Sequence, residues 1–150
     1  MSDLESFTDP ERIVLRRLAG AMIGASDDLQ VPGADDDVIF GRLLERAGSL
    51  AAGLRQGMAE CFAEVGGTAA VASLDDADFV TVIDNVRRGQ HPFLEAMTGL
   101  VAYAYYRDPR VLQSLNKEDR PPFPDGNELE QGDWSILEPV KKRDPVFRDC

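Results

Sequence analysis

The sequence has little positive charge, little sulfur and only one histidine. It contains 16 lysines and arginines against 27 aspartates and glutamates, which gives a formal net charge of -11. Nucleic acids and anionic membranes are bound by basic surfaces, so this balance argues against either as an unaided partner. Two cysteines, Cys61 and Cys150, do not make a disulfide framework, and we expect both to be reduced thiols.

Long apolar runs and catalytic motifs are also missing. No stretch is apolar over the roughly 20 residues that a membrane-spanning helix needs, so we expect no membrane insertion. No export signal precedes the first helical pattern, which favours a cytoplasmic location and leaves export with a partner open. The sequence contains no GxGxxG fingerprint, P-loop or nucleophile elbow. We therefore expect no cofactor and no catalysis in this chain alone.

The remaining pattern is organised around a helix predicted at 93–106. Apolar side chains recur there at helical spacing, and small or aromatic residues fill most of the other positions. A helix that is apolar nearly all round is buried nearly all round, so we expect a core helix with the others packed about it. Pro92 suits its first turn and Asp108-Pro109 ends it. The stripe that faces the core consists of Phe93, Met97, Leu100, Val101 and Ala104.

Helical patterns also precede this central helix. The residues 8–11 have the spacing of a capping box and open a first helix, which ends before a loop at 24–34. A long second helix is predicted from about Asp36 to Val65, and a third begins after Asp75-Asp76. The alternation typical of strands is not found in the sequence. The sequence therefore predicts an all-α fold, an irregular bundle of four to five helices.

Three features are compatible with a functional site, and each also has an ordinary structural explanation. Consecutive carboxylates at 35–37 lack the alternate spacing and the glycine of a calcium loop, and we interpret them as a helix cap. His91 has no second histidine, nucleophile or cysteine pair nearby and is also interpreted as a cap. Glycines at 41, 48, 53 and 57 of the long helix indicate a close approach of helices or a bend, with a flexible partner surface as the alternative.

The character of the sequence changes near residue 116. Prolines at 121, 122, 124, 139 and 145 exclude a long helix or a central strand, while apolar side chains recur through the segment. We expect a helical domain at 1–115 and an extended, proline-rich C-terminal arm at 116–150. The arm packs either on its own domain or on a partner subunit. We assign the partner interface to Phe123, Trp134, Leu137 and Phe147 of the arm, with Tyr103 and Tyr106 of the central helix.

Three stretches of the sequence carry a resemblance to a known family. The first helix ends in Leu18-Ala19-Gly20-Ala21-Met22-Ile23, the loop contains Val31-Pro32-Gly33-Ala34, and the central helix ends in Tyr105-Tyr106-Arg107-Asp108-Pro109. In these stretches the chain resembles the gluconate 2-dehydrogenase subunit 3 family, the small non-catalytic subunits of FAD-dependent oxidoreductases of the glucose–methanol–choline class. It departs from that family in lacking the usual export signal and the glycine-rich segment after the Asp-Pro.

The resemblance implies that this chain is the non-catalytic small subunit of a hetero-oligomer. The large subunit would hold FAD and the catalytic residues and would oxidise a sugar or an alcohol at a CH–OH group, and this chain would stabilise or assist it. The composition leaves a second function open, namely a free-standing acidic helical adaptor or regulator that binds a basic protein.

Overall fold

The computed structural model describes residues 7–117 and 132–143. These residues contain eight α-helices and no β-strand, which confirms the all-α prediction. The chain divides into two units, Met1–Asp119 and Arg120–Cys150. The second unit contains a 3-10 helix, Trp134–Leu137, and α8 (Glu138–Lys141). The first contains α1 (Asp9–Met22), α2 (Asp37–Gly48), α3 (Ala51–Phe62), α4 (Thr68–Ala72), α5 (Asp76–Arg88), α6 (Pro92–Tyr105) and α7 (Pro109–Ser114).

The predicted cap residues begin three of these helices. At α1 the Glu11 carboxylate accepts a hydrogen bond from the Thr8 N–H at 2.7 Å, as the capping box predicts. At α2 the Asp36 carboxylate accepts from two backbone N–H groups of the first turn, and Asp75 accepts from one at α5. Side-chain oxygens satisfy N–H groups that have no partner within the helix. The interpretation of the 35–37 carboxylates as a cap is therefore confirmed at Asp36.

The helix α6 is the one about which the first unit is built, and it packs against α1, α2 and α3. All five residues of its predicted core stripe are buried, from Phe93 to Ala104. The prediction that the helix is buried nearly all round is wrong, because Ala96, Gly99 and Tyr103 are exposed. An apolar helix face is buried only where another element packs against it, and composition does not determine whether one does. One side of α6 consequently faces solvent.

The long second helix predicted from Asp36 to Val65 is interrupted. Its helical path ends at Gly48 and resumes at Ala51, and Leu50 between them has φ −113° and ψ 6°. The Ser49 hydroxyl donates to the carbonyl of Arg46 at 3.1 Å, a local bond of the kind that competes with helix continuation. The apolar period runs through the break, so periodicity could not reveal it. In the sequence, the Gly48-Ser49 pair was the feature that indicated a break in the helix.

One glycine of this region allows two helices to approach closely. A Cβ added to Gly57 of α3 would lie 2.9 Å from the Cβ of Phe93 in α6. Real Cβ atoms essentially never come so close, so the close-approach interpretation is confirmed at this position. At Gly41 and Gly53 an added Cβ would meet nothing within 4 Å. Packing within the described residues gives no reason for glycine at those two positions.

Candidate partner-binding surface

An apolar groove of about 690 Å³ lies between α1, α5 and α6. We call it the α5–α6 groove. Pockets of about 300–1,000 Å³ with mostly apolar walls and a few polar groups are typical of binding sites. Its aliphatic walls include Leu18 and Met22 of α1, Val80 and Ile83 of α5, and Leu94 and Val101 of α6.

The helix α5 forms one wall of the groove and is anchored mainly at its N-terminal end. Phe79 is its only fully buried residue. The Arg17 guanidinium lies over the Phe79 ring, with its carbon 4.0 Å from the ring centre. The same guanidinium donates to the carbonyl of Leu74 at 2.8 Å and to the Asp76 carboxylate at 2.9 Å. One arginine thus connects α1 to the start of α5, and the rest of α5 is only partly buried.

The open edge of the groove carries apolar and charged side chains. Val80 and Tyr106 each expose 53% of their surface. Asp84 and Arg87 also line the groove, and neither forms an ion pair or a side-chain hydrogen bond with any described residue. Contiguous exposed apolar surface with a polar rim is typical of protein–protein interaction sites. The groove therefore offers a protein partner both apolar contact and two charges of opposite sign.

Beside the C-terminal end of α6 lies a second concave surface of about 450 Å³, which we call the basic cleft. It is lined by Arg42, Glu45, Arg46, Tyr103 and Arg107. The guanidinium carbons of Arg46 and Arg107 lie 5.7 and 4.9 Å from the centre of the Tyr103 ring. Both distances are within the range of cation–π contacts. The cleft places three positive charges together in a strongly acidic protein.

An ion network centred on the buried Asp108 shares Arg42 with the basic cleft. The Asp108 side chain is 2% exposed and accepts from Arg110 Nε at 2.8 Å, from Arg110 Nη2 at 3.1 Å and from Arg42 Nη1 at 3.1 Å. Arg110 also donates to Asp36 at 2.8 Å. Hydrogen bonds from Arg110 hold the pKa values of Asp108 and Asp36 below their ordinary range, and the two carboxylates raise the pKa of Arg110. The network joins the start of α2 to the start of α7.

The role of this network is to fix geometry. Asp108 stays ionised and its oxygens already accept several hydrogen bonds, so it is a poor proton donor or acceptor. It also accepts from the backbone N–H of Arg110 at 3.0 Å and thereby caps α7. From the sequence, Asp108 is predicted only as the residue that ends the central helix. The partner at position 36 is far along the chain, and no local pattern reveals such a pair.

His91 acts as a helix cap, as predicted. Its Nδ1 accepts from the Phe93 N–H at 3.2 Å at the start of α6. Its Nε2 lies 3.5 Å from a carboxylate oxygen of Glu60. These residues line a third groove, about 500 Å³, between α3 and α6. Both ring nitrogens face groups of the protein, so the arrangement stabilises the helix start and leaves neither nitrogen directed at a ligand.

Two other features of the described residues bear on chemistry. The Cys61 thiol is partly buried, and burial raises its pKa to about 11, so very little of it is the reactive thiolate at neutral pH. Among residues 7–117 and 132–143, no three histidine, cysteine, aspartate or glutamate side chains are placed to hold a metal. Every helix in those ranges is too short or too polar to cross a membrane.

The residues assigned to the partner interface fall in three places. Tyr106 lines the α5–α6 groove and Tyr103 lines the basic cleft, so these two lie on neighbouring surfaces of the first unit. Trp134 and Leu137 belong to the 3-10 helix of the second unit, where Trp134 is 63% exposed. Residues 134–141 are helical rather than extended. Phe123 and Phe147 belong to the parts of the expected arm, 118–131 and 144–150, that lie outside the described residues.

Sequence reasoning missed the arginines that organise these surfaces. Arg17, Arg42 and Arg110 each contact residues more than 50 positions away in the chain. The available signal was the position of Arg17 on an otherwise apolar helix face, where an arginine needs a partner. Comparison with protein-family models, with curated proteins and with solved structures found no match for this chain.

Proposed function

We propose that the chain is the non-catalytic small subunit of a hetero-oligomeric FAD-dependent oxidoreductase of the glucose–methanol–choline class. In this proposal the large subunit holds FAD and oxidises a sugar or an alcohol. This chain binds the large subunit through the α5–α6 groove and stabilises it. The observation that carries the binding role is the groove itself, which has apolar walls and exposes Val80 and Tyr106 at its edge. The identity of the partner rests on the family resemblance.

Two of the three stretches that carry the resemblance contribute to the lining of this groove, the end of α1 through Leu18 and Met22 and the end of α6 through Tyr106. The carbonyl of Ile23, at the end of α1, accepts from the Ala34 N–H at 2.8 Å. A Cβ on Gly20 would lie 3.0 Å from the carboxyl carbon of Asp35, so the glycine leaves room for the loop to return against α1. Ile23 lines the groove. The resembling residues therefore shape the surface to which we assign partner binding, and this supports the proposal.

The acidic composition favours the second candidate, a free-standing adaptor that binds a basic protein. The net charge of -11 would speed association with such a partner at low ionic strength. The two candidates differ in what fills the α5–α6 groove. A purely electrostatic adaptor has no need of an open apolar groove, so we rank it second.

Co-expression tests the proposal directly. The affinity-tagged chain is produced together with a FAD-dependent oxidoreductase encoded in the same operon, and the purified material is examined for stoichiometric FAD. We expect a yellow complex in which FAD remains with the large chain after the two are separated. The proposal is wrong if the operon encodes no such enzyme, or if that enzyme folds, retains FAD and never co-purifies with this chain.

A matched pair of variants locates the interface. Val80 and Val38 are both helical valines with 53% of their surface exposed, but only Val80 lines the α5–α6 groove. Val80→Glu places a carboxylate among apolar contacts and should weaken the complex by about 2 kcal/mol or more, the size of a hot-spot effect. Val38→Glu should leave co-purification unchanged. Equal effects of both substitutions would place the interface elsewhere.

A further inference from the structure

We propose that the basic cleft is a binding site for a small anion of the phosphate class that carries at least two negative charges. The site consists of Arg42, Arg46 and Arg107, with Tyr103 between the last two. It is distinct from the α5–α6 groove and does not depend on which protein fills that groove. Three observations support it: the convergence of the guanidiniums, their unused donors and the fixed position of Arg42.

The three guanidiniums converge from two separate parts of the fold. Arg42 and Arg46 are one turn apart on α2, and Arg107 follows the C-terminal end of α6. All three line the same space of about 450 Å³. Like charges repel, and here only Glu45 in the lining and the Asp108 partner of Arg42 offset that repulsion. The lining of three guanidiniums and one carboxylate has an excess of positive charge in a chain whose net charge is -11.

Most of the donors of these arginines have no acceptor in the described residues. Each guanidinium has five N–H donors. Arg42 gives one hydrogen bond to Asp108, and Arg46 gives one to the Ser49 hydroxyl at 3.1 Å. Arg107 contacts the face of the Tyr103 ring and forms no ion pair with a described residue. The remaining donors are available to a ligand at the cleft.

One side chain of the cleft, Arg42, is held in place by the ion network around Asp108. The side chain of Arg42 is 35% exposed, and its bond to the 2%-exposed carboxylate of Asp108 fixes its direction. Asp108 is itself positioned by Arg110. A pre-positioned arginine loses little freedom when it binds a ligand, which favours affinity. Guanidinium forks match phosphate oxygens with two parallel hydrogen bonds, so an oxyanion with several oxygens uses the arrangement best.

Glu45 makes the charge of the ligand important. Its carboxylate lines the same cleft and reduces the attraction of the three arginines for every anion. The net attraction that remains grows with the charge of the ligand, so a phosphate-class ligand with two or more charges gains more from the site than a singly charged carboxylate. Replacing Glu45 by glutamine should therefore tighten binding, whereas it would have no effect on a ligand bound elsewhere.

Isothermal titration of the full chain with inorganic pyrophosphate tests the site at about 150 mM ionic strength. We expect one site per chain with a dissociation constant below about 1 mM and weaker binding of sulfate. Arg46→Gln should weaken pyrophosphate binding about tenfold. If Arg46→Gln fails to fold, Arg107→Gln takes its place in the experiment, and the same weakening is expected. Arg88→Gln is the matched control, because Arg88 also lies in the last turn of a helix and donates one 3.1 Å bond to a neutral side chain three residues away.

Each outcome of this titration decides for or against the site. Loss of pyrophosphate binding in Arg46→Gln but not in Arg88→Gln, with tighter binding in Glu45→Gln, supports it. Equal weakening of pyrophosphate binding in Arg46→Gln and in the control Arg88→Gln shows a general charge effect and overturns the proposal. Absence of pyrophosphate binding in the wild-type chain also overturns it. If a hexaglutamate peptide binds while pyrophosphate does not, the cleft is a protein-docking surface and the phosphate assignment is wrong.

Discussion

Two alanine substitutions one turn apart on α3 separate the effect of close packing on stability from the effect of intrinsic helix propensity. Gly53 and Gly57 lie on the same helix, and each glycine in a helix interior costs about 0.5–1 kcal/mol relative to alanine. An added Cβ at Gly53 would meet nothing within 4 Å. Gly53→Ala should therefore stabilise the protein by about that amount.

Gly57→Ala brings the same gain in propensity and a steric cost. The new methyl would lie 2.9 Å from the Cβ of Phe93 and 3.1 Å from its Cδ2. Phe93 is 4% exposed and its ring meets that of Phe62 edge to face with centres 6.2 Å apart, so it has little room to retreat. Overpacking of this kind costs about 1–3 kcal/mol. The net change should be a destabilisation of about 1 kcal/mol, which leaves the two variants about 2 kcal/mol apart.

Equilibrium urea unfolding measures this difference, with the slope against denaturant checked for constancy between variants. A gap of about 2 kcal/mol corresponds to roughly 4–8 °C in Tm for a chain of this size. The reasoning is refuted if Gly57→Ala is as stable as Gly53→Ala, because α3 and α6 could then separate without cost. If Gly53→Ala stabilises the chain but abolishes partner binding, the flexible-surface interpretation of that glycine is favoured.

Two further predictions concern titrating groups. The hydrogen bonds of Arg110 lower the pKa of Asp108, so this carboxylate stabilises the fold above its unfolded pKa of about 3.9 and loses that contribution as pH falls through its lower folded pKa. The stability advantage of the wild type over Asp108→Asn, measured by urea unfolding, should be constant above about pH 5 and shrink below pH 4; an advantage unchanged down to pH 2 would contradict the assignment. Burial raises the pKa of Cys61 to about 11. In a Cys150→Ser background, Cys61 should react with a disulfide reagent at pH 8 at least about tenfold more slowly than after unfolding, and equal rates would show that the thiol is not protected.

The sequence by itself determined the helical class and the main buried stripe. The stripe from Phe93 to Ala104 was predicted correctly because helical periodicity is local, and a run of apolar residues at that spacing has one way to be buried. The caps at Asp36 and His91 were predictable for the same reason, since a cap residue and the N–H groups it satisfies are two or three positions apart.

Only the tertiary structure decided which helix faces stay open and which charges meet. The apolar composition of α6 predicted burial on nearly every side. Tyr103 is nevertheless exposed, because no described helix covers it. Arg110 is paired with Asp36, which lies 74 positions away in the sequence. The energy of this ion pair depends on the distance between the two side chains, which no local sequence pattern specifies. The break after Gly48 is another such case, because the apolar period continues through it. Local rules determine which residues form helices, while the grooves and ion networks between helices arise from contacts between distant parts of the chain.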